Sequence, residues 1–309
     1  MFKLLRSPER LCINDEKDRE RTLSYVRDLI EHVHKFQDAI LIDLAHVKFA
    51  SAAASVLLFA VLNRAYFVLG SKLRVRFSLP KKEDNPLGHR CIVSTGLAKA
   101  LVANTPEKLD ALVQQKRYFQ SSVMPELALS TTMEMLQEKA VLDDNQATML
   151  MMGMNEAMLN VRNHAYEHSF YDESVKCMHG KRWWQCAWFD PEQDRVVFII
   201  CDLGMGIANS YSGENLDPIS QFILEQNSVL EALTSGRSRF NESNRGNGSE
   251  DIKRPIAQGV TKKEKLMVFT GGCLYELDSD VSNSHARVST LRPQIPGTIV
   301  LWALTPNRG

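Results

Sequence analysis

The chain has 309 residues, and its 37 Lys and Arg balance its 37 Asp and Glu. That length suggests two domains, and the neutrality excludes the strongly basic classes that bind nucleic acid or anionic membranes through overall charge. Apolar residues at 44% exclude a disordered chain, and the six cysteines form no C-x-x-C pair, so they read as reduced thiols.

The N-terminal residues hold no apolar run long enough for a signal peptide. "RTLSYVRDLIEHVHKF" (21–36) has helical spacing. "AILIDLAHV" (39–47) is a continuous apolar run ending on an acidic residue, as in a buried strand. The most apolar window, Phe49 to Gly70, loses its uncharged character at Asn63 and Arg64, short of the ~20 residues a membrane span needs. It predicts a buried helix in a cytoplasmic protein with no membrane partner. "SKLRVRFSLP" (71–80) alternates as a strand, and "CIVSTGLAKALV" (91–102) reads as a short helix. Strand–helix alternation predicts a small α/β domain over 1–105. Residues 106–130 are more polar, carry Pro106 and Pro125, and read as a connecting segment that is partly helical.

The second domain, 131–309, opens with a polar helix, "TTMEMLQEKAVLDD", and a Met-rich one ending in "MNEAMLNVRNHAY". "SFYDESVKCMHGK" (169–181) reads as a loop. Cys177, His179 and Cys186 lie close in sequence, but their spacing fits no standard pair of zinc-ligand pairs. "RWWQCAWFD" and "RVVFIICDLG" read as strands joined by "DPEQD". From Met205 to Glu250 the chain is rich in Ser, Asn and Gly without strong periodicity, as in a lid or binding loop. "KLMVFTGGCLYELDSD" and "PGTIVLWALTP" supply at least three more strands.

In the Met-rich helix, Met151, Met154, Met158, Val161 and Ala165 form one apolar stripe. Glu156, Asn160 and His164 step by four along another side. Alone, that pattern is an amphipathic helix with a solvated face. It is followed by "DLGMG", with Asp202 at a strand end and Gly204 and Gly206 freeing the backbone, then by Gly246-Asn247-Gly248 entering a helix, then by Gly297-Thr298 opening a strand.

These four motifs, in this order over roughly 131–306, resemble the GHKL ATPase family of gyrase-type enzymes, heat-shock chaperones, mismatch-repair proteins, histidine kinases and anti-sigma-factor kinases. "EAMLNVRNHAY" is closest to the anti-sigma-like subgroup. The resemblance implies an α/β sandwich of the GHKL (Bergerat) type that binds ATP and Mg²⁺. It implies that Asn160 holds the Mg²⁺, Glu156 orients or deprotonates the attacking water, and Asp202 accepts from the adenine amino group. Gly204 and Gly206 then shape the adenine pocket, and the Thr298 hydroxyl lies near the base. Gly246, Asn247 and Gly248 form the phosphate-contacting end of the lid. Arg237, Arg239 and Arg245, also in the lid, are placed to meet phosphate charge. Asn163 and His164 fall in register as support for the site.

"AILIDLAHVKFASAAASVLL" resembles a STAS domain, the fold of anti-sigma-factor antagonists. Where that family has an acidic residue followed by a phosphorylatable hydroxyl, this chain has Ser51 then Ala52 and Ala53, with Ser55 nearby. That departure predicts a structural or docking module and no phosphoswitch.

Three functions follow from the resemblance: a slow ATPase that switches a protein partner, a protein serine/threonine kinase of the anti-sigma type, or a nucleotide-gated binding module without turnover. The switch ATPase is the expectation, because a water-activating carboxylate has no role in passive binding. No His followed by an acidic residue and a downstream Pro marks a histidine-kinase acceptor; His32 and His34 lack that pattern. No transducer domain follows the last strand, which counts against DNA-strand chemistry by this chain alone. A homodimer and an unidentified protein partner fit the resemblance, in bacterial regulation or a conflict system such as phage defence.

Overall fold

The computed structural model describes residues 2–36, 39–212, 218–234, 248–257, 264–279 and 286–307. It is a mixed α/β structure. β1 (Lys3–Arg6) and β2 (Arg10–Leu11) lead into α1 (Glu16–Ile30), which Asp15 caps by accepting from the Lys17 N–H. β3 (Ile40–Asp43) and β4 (Phe49–Ala50) precede α2 (Ala52–Leu69), and β5 (Val75–Ser78) follows it. Three short helices come next: α3 (Pro86–His89), α4 (Leu97–Leu101) and α5 (Pro106–Gln114). β1, β3 and β5 form a parallel sheet in the order β1-β3-β5, and β2 pairs with β4.

β6 (Phe119–Ser122), α6 (Pro125–Ala140) and α7 (Asp144–Asn160) follow, then α8 (Asp172–Cys177), β7 (Trp183–Asp190) and β8 (Arg195–Asp202). α9 (Ile207–Ser212), α10 (Pro218–Thr234) and α11 (Gly248–Ala257) precede β9 (Lys265–Thr270), β10 (Cys273–Asp278), β11 (Arg287–Thr290) and β12 (Thr298–Leu304). The sheet order is β11-β10-β9-β12-β8-β7-β6, every pair antiparallel. The stretch 106–130 therefore holds α5 and the start of α6, and its strand β6 is an edge of the large sheet.

Register assigns the two faces of that sheet. Asp202 pairs with Thr298, Ile200 with Val300 and Phe198 with Trp302, so these share one face. Trp302 donates its indole N–H to the Ile252 carbonyl of α11 at 2.8 Å. α11 packs closely on α7, so both helices cover the Asp202 face. Gly153 permits that approach: a Cβ there would lie 2.9 Å from Cγ of Pro255 and 3.2 Å from the Asp251 carbonyl oxygen. The N-terminal end of α7 is tied to the far end of β12, where Gln146 donates to the Thr305 carbonyl and Asn307 donates to Asp143.

α2 covers the opposite face. Every residue from Ala53 to Asn63 is buried, which puts all sides of three turns out of water. The helix packs on β7 and β8 on one side and on α1 and α4 on others. One continuous apolar core joins both parts of the chain through it. With the 3₁₀ turn Gly70–Lys72, the helical run reaches 21 residues, long and apolar enough by length and composition to cross a membrane. The sequence expectation placed it short of that length because it stopped counting at Arg64. In this fold 67% of its most apolar window is covered by protein.

Two stretches are more regular than the sequence pattern predicts. The segment read as a loop at 169–181 holds a 3₁₀ turn and α8. The aperiodic stretch after Met205 holds the 17-residue α10. The buried Glu225 of α10 accepts from the Gly272 N–H at 2.9 Å, tying the helix to the β9–β10 turn.

Candidate functional site

β8 ends on Asp202, and the chain turns at once into Leu203-Gly204-Met205-Gly206. The Asp202 side chain is buried and accepts from the Gly204 N–H at 2.8 Å. Burial pushes its carboxyl up to about 7, against the pull of backbone N–H groups from Gly204 and Thr298. A carboxyl in that state accepts a hydrogen bond from an uncharged N–H donor without needing a cation. Gly204 has no room for a side chain, since a Cβ would sit 2.0 Å from the Ala165 carbonyl oxygen. Gly206 takes φ +79°, a conformation that L side chains rarely adopt.

Two hydroxyls lie beside this carboxyl. Thr298 pairs with Asp202 across the sheet, and its Oγ1 lies 3.2 Å from Oγ1 of Thr270. Thr270 also accepts from the Ile207 N–H at 2.9 Å, which pins the start of α9. Thr298 was marked by the sequence and Thr270 was missed. A Thr ending an apolar strand just before Gly-Gly was the available signal.

The Met-rich helix reaches the same loop. Its regular part ends at Asn160, and a turn of π-helix carries Val161–Ala165. Such turns concentrate at functional sites. The Ala165 carbonyl accepts from the Met205 N–H at 2.8 Å. Tyr166 follows, fully inside, donating its hydroxyl to the Arg182 carbonyl and accepting from the Leu203 N–H at 3.1 Å.

Glu156 and Asn160 are neighbours on one side of α7. Burial raises the Glu156 carboxyl above its ordinary value, the charge of Asp251 on α11 raises it further, and the Asn160 amide pulls it down. A half-buried carboxylate with a raised pKa is a better proton acceptor than a solvated one. Asn160 offers an amide oxygen, and Glu156 and Asp251 offer carboxylate oxygens, the hard donors that Mg²⁺ takes. Among the described residues no group of three or more His, Cys, Asp or Glu could hold a metal. A cation here would thus complete its shell from phosphate oxygens and water, which is how Mg²⁺ commonly binds beside nucleotides.

The structure does not place all marked residues together. The π-turn breaks the i, i+4 step after Asn160, so His164 lies beside Glu167 at 3.7 Å, about 40% exposed. Asn163 is exposed. Of the apolar stripe, Met154, Met158, Val161 and Ala165 are buried, but Met151 is exposed. Gly248 is the first residue of α11. Arg237, Arg239, Arg245, Gly246 and Asn247 lie outside the described residues. Cys186 faces the core, where burial raises its thiol pKa, and is no partner for Cys177.

One contact was invisible in the sequence. Arg64 of α2 donates from a guanidinium N–H to the Leu203 carbonyl at 3.1 Å, across 139 positions of sequence. Its neighbour Asn63 accepts from the Trp184 indole N–H at 2.8 Å and donates to the Ala103 carbonyl at 2.6 Å. Both backbone groups of Leu203, the residue after Asp202, are therefore held by side chains: the N–H by Tyr166 and the carbonyl by Arg64. Burial depresses the Arg64 pKa, with Tyr166 and Tyr171 opposing it. Ser51 accepts from the Ala54 N–H as the cap of α2, and both Ser51 and Ser55 are buried.

No protein-family model, curated protein or solved structure matches the chain.

Proposed function

We propose that residues 131–309 are a GHKL-type domain that binds ATP with Mg²⁺ and hydrolyses it slowly, and that the N-terminal unit is a STAS-like module through which the nucleotide state is passed to a protein partner. The observation that carries this reading is the Asp202–Gly206 loop. A buried carboxyl with a pKa near 7, flanked by the Thr298 and Thr270 hydroxyls, sits at the end of the helix that bears Glu156 and Asn160. The Asp202 carboxyl forms no ion pair among the described residues and, beyond the Gly204 and Thr298 N–H groups, keeps acceptor capacity for one more donor, and the adenine amino group is such a donor. Asp202 then fixes base identity, while Gly204 lets the loop close on the Ala165 carbonyl and Gly206 supplies its positive φ, shaping the pocket for the base. Asn160 supplies an oxygen to the cation, and Glu156 takes a proton from the attacking water. Mg²⁺, when bound, neutralises phosphate charge.

Calorimetry with ATP and Mg²⁺ on the purified chain, paired with phosphate release in the same buffer, tests the reading. Wild type binds and releases phosphate slowly. Glu156→Ala keeps the binding and loses roughly 100-fold or more of the turnover. Equal turnover in Glu156→Ala removes Glu156 as the base, binding without release favours a nucleotide-gated module, and absence of binding removes the proposal.

A further inference from the structure

We propose that the groove along the outer edge of β5 is a docking site for an extended, acidic segment of a partner protein, which pairs with β5 as a fourth strand. The groove has a volume of about 520 Å³, and β5 closes one wall of it. β5 pairs with β3 on one side only, so its outer edge has no strand partner among the described residues. The carbonyls of Arg74 and Ser78 accept from the Ile40 and Leu44 N–H groups. By alternation, Val75 and Phe77 turn their own N–H and C=O groups outward, into the groove. Those groups are what an added strand would use.

Charge selects the occupant. Arg74, just before β5, Arg76 from β5 and Lys108 from α5 converge on the groove, and no carboxylate lines it. None of the three forms an ion pair among the described residues, whereas Arg6, Lys48, Lys116 and Lys265 each do. Arg76 stacks over the Phe2 ring at 4.6 Å, and Lys108 donates to Asn104 at 2.7 Å, so two of the cations are held in place. Charges on an edge strand also prevent pairing with like edges. Here the third cation comes from a separate helix, which edge protection does not need. The apolar wall includes Tyr66 and Val102, the latter 48% exposed, which offers pockets to alternate side chains of an incoming strand. The outer face of the same small sheet is open as well: Leu4 is 49% exposed. Parallel sheets are ordinarily covered on both faces.

The test uses the full chain and three labelled probes in fluorescence anisotropy: a dodecapeptide alternating Val and Glu, one alternating Val and Lys, and a dT12 oligonucleotide. The Val–Glu peptide is expected to bind and to weaken with salt. R74E/R76E should weaken it at least tenfold, and Lys108→Glu should weaken it less. Val75→Pro removes one outward N–H while leaving the β3 ladder intact, and should weaken binding without changing its salt dependence. If Val75→Pro fails to fold, the charge-reversed pair decides alone, since both arginines are exposed. Equal binding of both peptides, binding of dT12 in place of the acidic peptide, no effect of R74E/R76E, or no binding tighter than about 1 mM would overturn the proposal. ATP binding plays no part in the readout, so the inference stands or falls apart from the proposed function.

Discussion

α2 and α7 lie on opposite faces of one seven-stranded sheet, and they are built to opposite rules. α2 carries a single charged residue in 18 and is buried on every side for three turns. α7 buries one stripe, Leu150, Met154, Ala157 and Met158, and keeps Glu156 and Asn160 half-accessible on another. One helix is a wall and the other keeps polar side chains within reach of solvent. The exception in each marks where they meet: Arg64 of α2 and Tyr166, just beyond α7, grip the carbonyl and the N–H of the same residue, Leu203. A site on one face of a sheet is thus held in shape from the other face.

The strongest way to break this comparison is to damage the wall and watch the sheet. Phe59→Ala removes a fully buried ring from α2 and should cost about 3–5 kcal/mol. All four tryptophans lie in β7 and β12. Their fluorescence should therefore show the full loss in a single denaturant transition coincident with circular dichroism. Two separate transitions would mean α2 does not belong to the sheet's cooperative unit.

The grip on Leu203 comes next. Arg64→Met keeps the aliphatic length but leaves a buried carbonyl without its donor, at a cost of about 1–3 kcal/mol. ATP affinity measured by calorimetry should fall several-fold while a mutation at the groove, such as Arg76→Glu, leaves it unchanged. Equal affinity in Arg64→Met would mean the loop holds its shape through Tyr166 alone.

Acid titration sharpens the role of Asp202. The folded carboxyl titrates near 7 and an ordinary one at 3.8, so the folded state holds this proton more tightly. Stability from this group is therefore full below about pH 4 and is lost as pH rises to about 7. Asp202→Asn should flatten that slope in urea titrations. It should also weaken ATP binding and remove the rise in ATP affinity expected around pH 7 as Asp202 ionises in the wild type. The smallest effect is expected at the cap: Ser51→Ala should cost about 1 kcal/mol of stability and leave nucleotide binding alone.

The sequence carried the regular part of this architecture. α1, α2, α7 and the strands β3, β7, β8, β9, β10 and β12 all follow from apolar pattern: the helices and longer strands show their period, and β3 lies in a continuous apolar run. β6 has four residues, two of them Ser, and becomes a strand only because β7 accepts it. α10 was lost because its neighbours are rich in Ser and Asn, and a window that includes them dilutes its apolar spacing. At the site, Asp202, Gly204 and Thr298 were readable as local signals, a charge or a glycine at a strand end. Arg64 and Tyr166 act across the fold, and no local pattern announces such contacts. One hint existed. A lone cation in an otherwise uncharged helix must find a partner when buried, yet Arg64 entered the sequence argument only as the end of an apolar run. A π-turn follows Asn160, and strict four-residue spacing to His164 does not survive the extra residue.

The order of synthesis gives the wall a second significance. β12 is the middle strand of the large sheet and the last to be made, roughly 230 residues after α2 is complete. At about 5–20 residues per second, that interval lasts on the order of 10–50 s. For the first part of it, until β7 and β8 are made, a 21-residue helix with the apolarity of a membrane span is in the cell without the strands it packs against. This chain's hazard during its own production lies in its first quarter, β7 and β8 begin to cover it, and β12 completes the sheet they belong to.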